Sequence, residues 1–451
     1  MKYYLAIDIG ASSGRHIIGY KENGVLKLDE VYRFKIGYKE NGVLKLDEVY
    51  RFKNGVKEIN NHLQWDIESL FNEVKNGIKI ALEKYKTIES MSIDTWGVDY
   101  VLMNNEKEIL PCYAYRDKRT KKVIDEVHSL ISFEELYKIT GSQFQEFNTI
   151  YQLYDDKKNN RLSKATDFLF IPEYLMYKLT GVKKHEYTNA STTGMMDKDT
   201  NNYSTKIIEK LGFDKNLFKE LYKQGEIVGS FKKEIQEEVK GNILVKLCST
   251  HDTASAVEGI QMQENAPYIS SGTWSLLGIK EDHVITSKEA MEANYSNEYG
   301  PTYIRFQKNI MGLWIIQGLA KQMNLDFVTM VNMAKESSYN ELFDVNDSCF
   351  LSSLDMKNEI TNWFVNKKIN PPIENKDIIN ATYRSLAYSY RIALDELENI
   401  TGKKYDSLYI VGGGAKNTYL NELTKEFTKK NVIALPIEAT AIGNLISQME
   451  D

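Results

Sequence analysis

Leu5-Ala6-Ile7-Asp8-Ile9-Gly10-Ala11-Ser12-Ser13-Gly14-Arg15 (residues 5–15) is an apolar run that ends on an acid and breaks into a turn of small residues. The run reads as a buried strand, and the turn leads into a second strand. Small residues at 10–14 let successive backbone N–H groups approach a polyanion, Ser12 and Ser13 add hydroxyl donors, and Arg15 adds a positive charge. The spacing is neither GxxxxGK[ST] nor GxGxxG, which disfavours P-loop and dinucleotide-binding folds. A tight Gly/Ser hairpin would have the same composition, so the decision comes from the second half. There Ile269-Ser270-Ser271-Gly272-Thr273-Trp274-Ser275 repeats the strand, small-residue turn, strand arrangement, and Ile410-Val411-Gly412-Gly413-Gly414-Ala415-Lys416-Asn417 joins a strand to a helix. Two halves opened by the same device predict an α/β fold of two domains around a central cleft.

Between these turns the pattern alternates helix and strand. Leu70, Val74, Ile78 and Leu82 fall on one helical face, strands are expected over 90–93 and 98–103, and 133–179 is mostly helical with Thr-Gly stops at 140–141 and 180–181. A strand returns over 240–247, followed by strands over 266–270, 276–280 and 407–411 and helices over 313–323 and 378–400. The boundary is placed near 248, giving 1–248 and 249–451, with no Pro/Gly-rich linker to separate the halves. One repeat interrupts the first half: Ile18 to Lys35 recurs letter for letter from Ile36 to Lys53. Each copy carries an Asn-Gly pair, Asn23-Gly24 and Asn41-Gly42, between short β-type runs, the signature of a hairpin. Two copies without one difference, and no third, read as a recent tandem duplication or a sequence-assembly error, not as a repeat array.

Composition excludes several functions. Lys and Arg number 57 against 63 Asp and Glu, for a net charge of −6. With both signs spread along the chain, no nucleic-acid arm or anionic-membrane patch is expected. Cys112, Cys248 and Cys349 are odd in number and far apart, which argues against a disulfide framework. The amino terminus lacks a signal-peptide pattern, and the apolar stretch Ile310–Ile316 falls far short of the roughly 20 residues that cross a bilayer. A cytoplasmic location is expected.

Thr250-His251-Asp252-Thr253-Ala254-Ser255-Ala256 follows the strand at the boundary. An acid there can accept the proton of a substrate hydroxyl that attacks a phosphoryl group; equally, Asp252 or Thr250 can cap the helix entered at Thr253. Asp8, at a strand's carboxyl end, is a candidate to hold Mg²⁺ through water. In Asp94-Thr95-Trp96-Gly97-Val98-Asp99-Tyr100 the two acids and Trp96 suit sugar hydroxyls, or are turn-formers around a partly buried indole. Asn309 and Gln317 are polar residues in apolar surroundings, a pattern also met in satisfied core amides. His251 alone of the histidines sits in a motif, so no transition-metal site is expected.

Taken in order, DIGASSGR (8–15), DTWGVDY (94–100), YRDKRT (115–120), FNTIYQL (147–153), EYTNASTTG (186–194), THDTASAV (250–257), SSGTWSL (270–276), NIMGLW (309–314), IVGGGAKNTYLN (410–421) and EATAIGN (438–444) resemble the FGGY carbohydrate kinases. DTWGVD with EYTNASTT and NIMGLW resembles their rhamnulokinase branch rather than glycerol, xylulose or gluconate kinases. The resemblance covers nearly the whole chain. It implies two actin-like ribonuclease-H-fold domains with a central cleft, sugar side 1–248 and ATP side 249–451. It further implies ATP-dependent phosphorylation of L-rhamnulose at O1, giving L-rhamnulose 1-phosphate in L-rhamnose breakdown, with Mg²⁺ as the divalent ion. Position by position, it implies Asp252 as general base and Gly97, His251, Asp252, Thr253 and Asn309 as sugar-binding residues. For ATP it implies Ala11, Ser12, Ser13, Gly14, Arg15, Thr273, Gln317 and Gly413. The expected partners are the sugar and ATP, with no nucleic acid or membrane; the sequence sets no oligomeric state. Two departures are expected to matter: the family has a single hairpin where the repeat stands, and its members continue past EATAIGN through a further helical segment of some tens of residues. They leave open an inactive binding relative, or a kinase for L-fuculose or L-xylulose.

Overall fold

A computed structural model describes residues 2–21, 45–260, 262, 266–351, 353, 355–435 and 438–449. In the first half β1 (Lys2–Ile9), β2 (Ser13–Lys21) and β3 (Lys45–Lys53) form an antiparallel meander, and β4 (Ser90–Thr95) lies parallel to β1 after the crossover helix α1 (Ile67–Lys84). Helices α2 (Phe133–Thr140), α3 (Thr149–Lys158) and α4 (Ile171–Thr180) follow, and β5 (Ile227–Gly229) and β6 (Leu244–Lys246) complete the sheet in the order β5-β6-β4-β1-β2-β3. After α5 (Asp252–Glu258) the plan repeats. β7 (Tyr268–Ser271), β8 (Trp274–Glu281), β9 (Ser296–Tyr299) and β10 (Ile304–Met311) are antiparallel neighbours, α6 (Trp314–Met323) and α7 (Asn375–Thr401) cross over, and β11 (Ser407–Val411) runs parallel to β7. Helix α8 (Thr418–Thr428) leads to β12 (Asn431–Ala434), giving the order β9-β10-β8-β7-β11-β12, and α9 (Ala439–Met449) follows. Each sheet therefore holds an antiparallel run, of three strands in the first and four in the second, extended by two parallel strands on the side of its first strand, with β5 added antiparallel at the edge of the first sheet, the doubled ribonuclease-H plan expected of the family.

The central strands are buried on both faces because helices cover them; all six residues of β4 are buried, the polar Ser90, Ser92, Asp94 and Thr95 included. Helix α1 starts where Asp66 accepts the Ser69 N–H (2.9 Å), and it buries Leu70, Val74, Ile78 and Ala81 against Leu5, Ile7 and Ile93. Ala81, one position before the expected Leu82, completes the stripe, because 3.6-residue periodicity drifts off a strict spacing of four. In the second half Tyr390 and Leu394 of α7 pack on Ile269, Leu277 and Phe306. Each such side chain removed from water contributes roughly 1.5–3 kcal/mol before conformational entropy is counted. The Thr-Gly stops are helix ends: Gly141 and Gly181 close α2 and α4 with φ of 64° and 77°.

Strand β2 takes its last residues from the first copy of the repeat, and β3 is the end of the second copy. Both Asn-Gly pairs lie outside the described residues. Among the described residues no helix is long and apolar enough to cross a membrane.

Candidate active site

A cleft of about 480 Å³ opens where the three small-residue turns and the start of α5 meet. The first turn is closed by the Gly10 N–H on the Ser13 carbonyl (2.9 Å) and tied to the end of β3, where Asn54 donates its N–H to Ser12 O (3.0 Å) and its amide to Gly10 O (2.9 Å). Ala11, Ser12, Ser13 and Arg15 line the cleft; Gly14 does not. A Cβ on Gly14 would stand 2.1 Å from the Phe52 ring, so this glycine serves the packing of β3 on β2. Arg15 is held between Asp8 and Glu438. Burial works to lower its proton affinity, but the two carboxylates raise it above its ordinary value.

The second and third turns interlock. Gly272 O accepts the Leu313 N–H (2.9 Å) and Thr273 O that of Trp314 (3.3 Å), which seats the start of α6 under the turn. Thr273 lines the cleft, whereas Gln317, one helical turn into α6, does not. The three glycines divide by role. Gly412 adopts φ +80°, and a Cβ there would meet Ser271 O at 2.7 Å; one on Gly414 would meet Ser271 Oγ at 1.9 Å. Gly413 has nothing within 4 Å of its Cβ position and faces the cleft. Two glycines thus let the third turn pack on the second, and the middle one keeps space open.

His251 and Asp252 are placed by β4 and by a buried acid. Thr95 donates its N–H to Thr250 O (2.9 Å), and Glu186 accepts from Thr250 N–H (3.2 Å) and hydroxyl (3.0 Å) as well as from Thr188 and Asn189. EYTNASTT is therefore the buttress of THDT. Thr250, consumed by Glu186, does not cap α5; His251 occupies the cap position and Asp252 begins the helix. Asp252 Oδ1 accepts the Thr253 N–H (2.6 Å) and lies 3.3 Å from His251 Nε2, with a third of its side chain open to the cleft. Enclosure pushes its proton affinity up; His251 opposes this and the charge of Asp8 adds to it.

Gly97, His251, Thr253 and Asn309 line the same cleft. Asn309 Oδ1 is buried and lacks a partner among the described residues, leaving a carbonyl acceptor for a ligand hydroxyl. Trp96 lines the cleft, but Asp94 and Asp99, the acids of its motif, do not. Asp99, fully buried, accepts from both indole N–H groups, Trp65 (2.7 Å) and Trp96 (2.9 Å), and from Tyr115 N–H (3.0 Å). Asp94 is buried under α9, accepting from Asn444 Nδ2 (2.6 Å). Burial, then the charge of Asp8, holds it well above the usual carboxylate range. Between them Val98 takes a φ of 67°, which a β-branched residue rarely adopts. Its carbonyl, held by Thr149 Oγ1 (2.9 Å) and Gln152 Nε2 (3.3 Å), fixes the turn that presents Gly97. Glu298, Gln143 and Glu438 also line the cleft and carry no local signal beyond the place of Glu438 in EATAIGN.

The donor set fits a divalent cation held through water. Asp8, although paired with Arg15, and Asp252 face one cleft as like charges, a pressure that a cation would relieve further. Among the described residues the group whose three potential ligand atoms lie within 4.8 Å of one another is Glu281, Asp282 and His283, outside this cleft.

Sequence models of the FGGY family of carbohydrate kinases match the chain twice, the N-terminal domain over residues 3–259 and the C-terminal domain over 267–450. A protein named rhamnulokinase from Oceanobacillus iheyensis is 42% identical over 99% of this chain and 92% of its own length. A rhamnulokinase from Bacillus subtilis is 38% identical over 99% and 90%. Among solved structures, a ligand-bound xylulose kinase from Lactobacillus acidophilus superposes with a TM-score of 0.77 at 14% identity, covering 99% of this chain and 89% of that one. Plasmodium falciparum glycerol kinase with ADP gives 0.73 at 15%, covering 99% and 89%.

Proposed function

The chain belongs to the FGGY family of carbohydrate kinases, and from that premise we propose that it transfers the γ-phosphoryl group of ATP to O1 of L-rhamnulose, giving L-rhamnulose 1-phosphate and ADP in L-rhamnose breakdown. The chain is an ATP-dependent sugar kinase whose curated relatives, at 36–42% identity, are named rhamnulokinases. The observation that carries the residue assignment is the position of Asp252, open to the cleft between the sugar-side residues Gly97, His251 and Asn309 and the glycine turns. In this reading residues 1–248 form the sugar side and 249–451 the ATP side, each lending groups to the other's ligand.

The proposed reaction follows from the groups present. Asn309 Oδ1 accepts a sugar hydroxyl, and Asp252 takes the proton of the O1 hydroxyl as the O1–Pγ bond forms and the bond from Pγ to the β-phosphate oxygen breaks, ADP leaving. Backbone N–H groups of residues 11–13 and of Thr273, with the Ser12 and Ser13 hydroxyls and Arg15, cradle the phosphates, and Gly413 leaves room for the nucleoside. Asp8 would hold, through water, a Mg²⁺ arriving with ATP, and such an ion would offset phosphate charge.

A coupled ADP-release assay with L-rhamnulose, L-fuculose, L-xylulose and no sugar tests this. The expected result is sugar-dependent release with the highest kcat/KM for L-rhamnulose. Release that ignores the sugar, or none with any ketose, would overturn the reading.

A further inference from the structure

The loop after α2 reaches the second half of the chain and is stitched to β9 there. Gly141 O accepts the Asn297 N–H (2.8 Å) and its side-chain amide (2.9 Å), and Asn294 Oδ1 accepts the Phe144 N–H (2.7 Å). Between them Gln143, only 6% exposed, is held twice: its N–H donates to Ser296 Oγ (3.3 Å), and its Oε1 accepts the Asn309 N–H (3.3 Å). The strand pairing explains the second bond. β9 runs beside β10 only as far as Ser296 opposite Gln307, so Asn309 lies beyond the end of β9, and Gln143 supplies the acceptor that the strand does not. Only the carbonyl end of a primary amide can accept, so this bond fixes which way the amide faces and leaves Nε2 as the free end. Gln143 lines the cleft, and among the described residues nothing accepts from its Nε2. In the same cleft Asn309 Oδ1 and Ser142 Oγ are buried without a partner among the described residues. Buried polar atoms are costly to leave unpaired. One region of the cleft thus collects an amide donor, an amide acceptor and a hydroxyl that can be either.

We propose that Gln143 is a sugar-binding residue that sets specificity: its Nε2 donates to a secondary hydroxyl of the ketose, beyond the reacting C1, while Asn309 Oδ1 accepts from that hydroxyl or its neighbour. The inference rests on the kinase reading of this cleft. A hydroxyl donates and accepts at once, so it can satisfy an amide N–H and an amide carbonyl together; a phosphate oxygen only accepts and would leave Asn309 Oδ1 unpaired. The two amides belong to different halves of the chain, and the bond between Gln143 Oε1 and Asn309 N–H holds them as one unit. A site built to pair with a hydroxyl rejects the analogue that lacks it, because its own polar groups are then left without a partner.

Gln143→Glu keeps the length and the acceptor for Asn309 N–H but replaces the Nε2 donor, and Gln143→Met removes both polar atoms without adding a charge. In each the KM for L-rhamnulose is expected to rise roughly tenfold, the scale of one lost hydrogen bond, with the ATP KM within about twofold of wild type. The decisive series pairs these proteins with analogues of L-rhamnulose deoxygenated at C3, C4 or C5. Wild type is expected to lose roughly tenfold or more in kcat/KM on the analogue whose hydroxyl is read, and that penalty should shrink in Gln143→Met while the others stay, because one interaction is then removed twice. A purely structural role for Gln143 would lower activity on every ketose alike and leave each penalty unchanged. That result, or a wild type indifferent to all three analogues, would overturn the role of Gln143 alone. Wild type without sugar-dependent ADP release would overturn the kinase reading and this inference with it.

Discussion

Gly443 of α9 crosses α5 so closely that a Cβ on it would lie 1.8 Å from the carbonyl oxygen of Ser255. The contact is matched by Gly259, whose Cβ would stand 2.0 Å from Ala439 O. Helix α5 begins with Asp252, and α9 carries Asn444 to Asp94 and Gln448 to Ser90. The crossing therefore ties the proposed base to the first sheet. Gly443→Ala is expected to cost about 1–3 kcal/mol by overpacking, read as a lower midpoint in urea. It should also reduce kcat, because any shift of α5 moves Asp252.

Gly413 and Gly414 should respond differently. Gly413→Val has room but fills cleft space, so the ATP KM should rise several-fold with the melting temperature kept. Gly414→Ala strikes Ser271 and should lower the melting temperature first. The reverse pattern would exchange their assigned roles.

His16 is buried beside Tyr50 and Phe52, with Nε2 3.1 Å from the Val74 carbonyl. Burial lowers its proton affinity from 6.5 to about 4, against a smaller opposing effect of that bond. The folded ring thus stays neutral while the unfolded ring takes up a proton below about 6.5, and stability is lost as pH falls from 6.5 to 4. Denaturant titrations of wild type and His16→Phe should diverge over that window by on the order of 3 kcal/mol, the wild type being the more acid-sensitive. Asp99, which burial raises to about 6 against its hydrogen bonds, has the opposite sign but is common to both proteins.

The repeat yields a deletion. Residues 45–53 of β3 are identical to 27–35, so removing Ile36–Lys53 leaves the letters of β2, β3 and Asn54 in place with a connection 18 residues shorter. Shortening it recovers about 1 kcal/mol of loop entropy. The variant should keep far-UV ellipticity per residue and keep or raise both melting temperature and kinase activity. Failure to fold would show that both copies are structural.

What was legible in the sequence was local. The three turns, the Thr-Gly helix stops and the His251-Asp252 step announce themselves because Gly, Ser and Asp act on their own backbone within a few residues. Glu298 did not, since its contacts are with Arg305 across a β-ladder and with His251 far upstream in the chain. Asp99 misled for the same reason: the indole that occupies it with Trp96 belongs to Trp65, far upstream. Gly14 sits in a resembling motif and Gln317 just beyond one, yet Gly14 packs against Phe52 and neither lines the cleft.

The account stands most directly on Asp252 as the base, and kcat of Asp252→Asn with ATP and L-rhamnulose measures it. In a variant shown by calorimetric titration to bind both ligands, turnover is predicted to fall by about 10²-fold or more, the usual scale of general-base loss. An unchanged kcat in that variant would contradict the account.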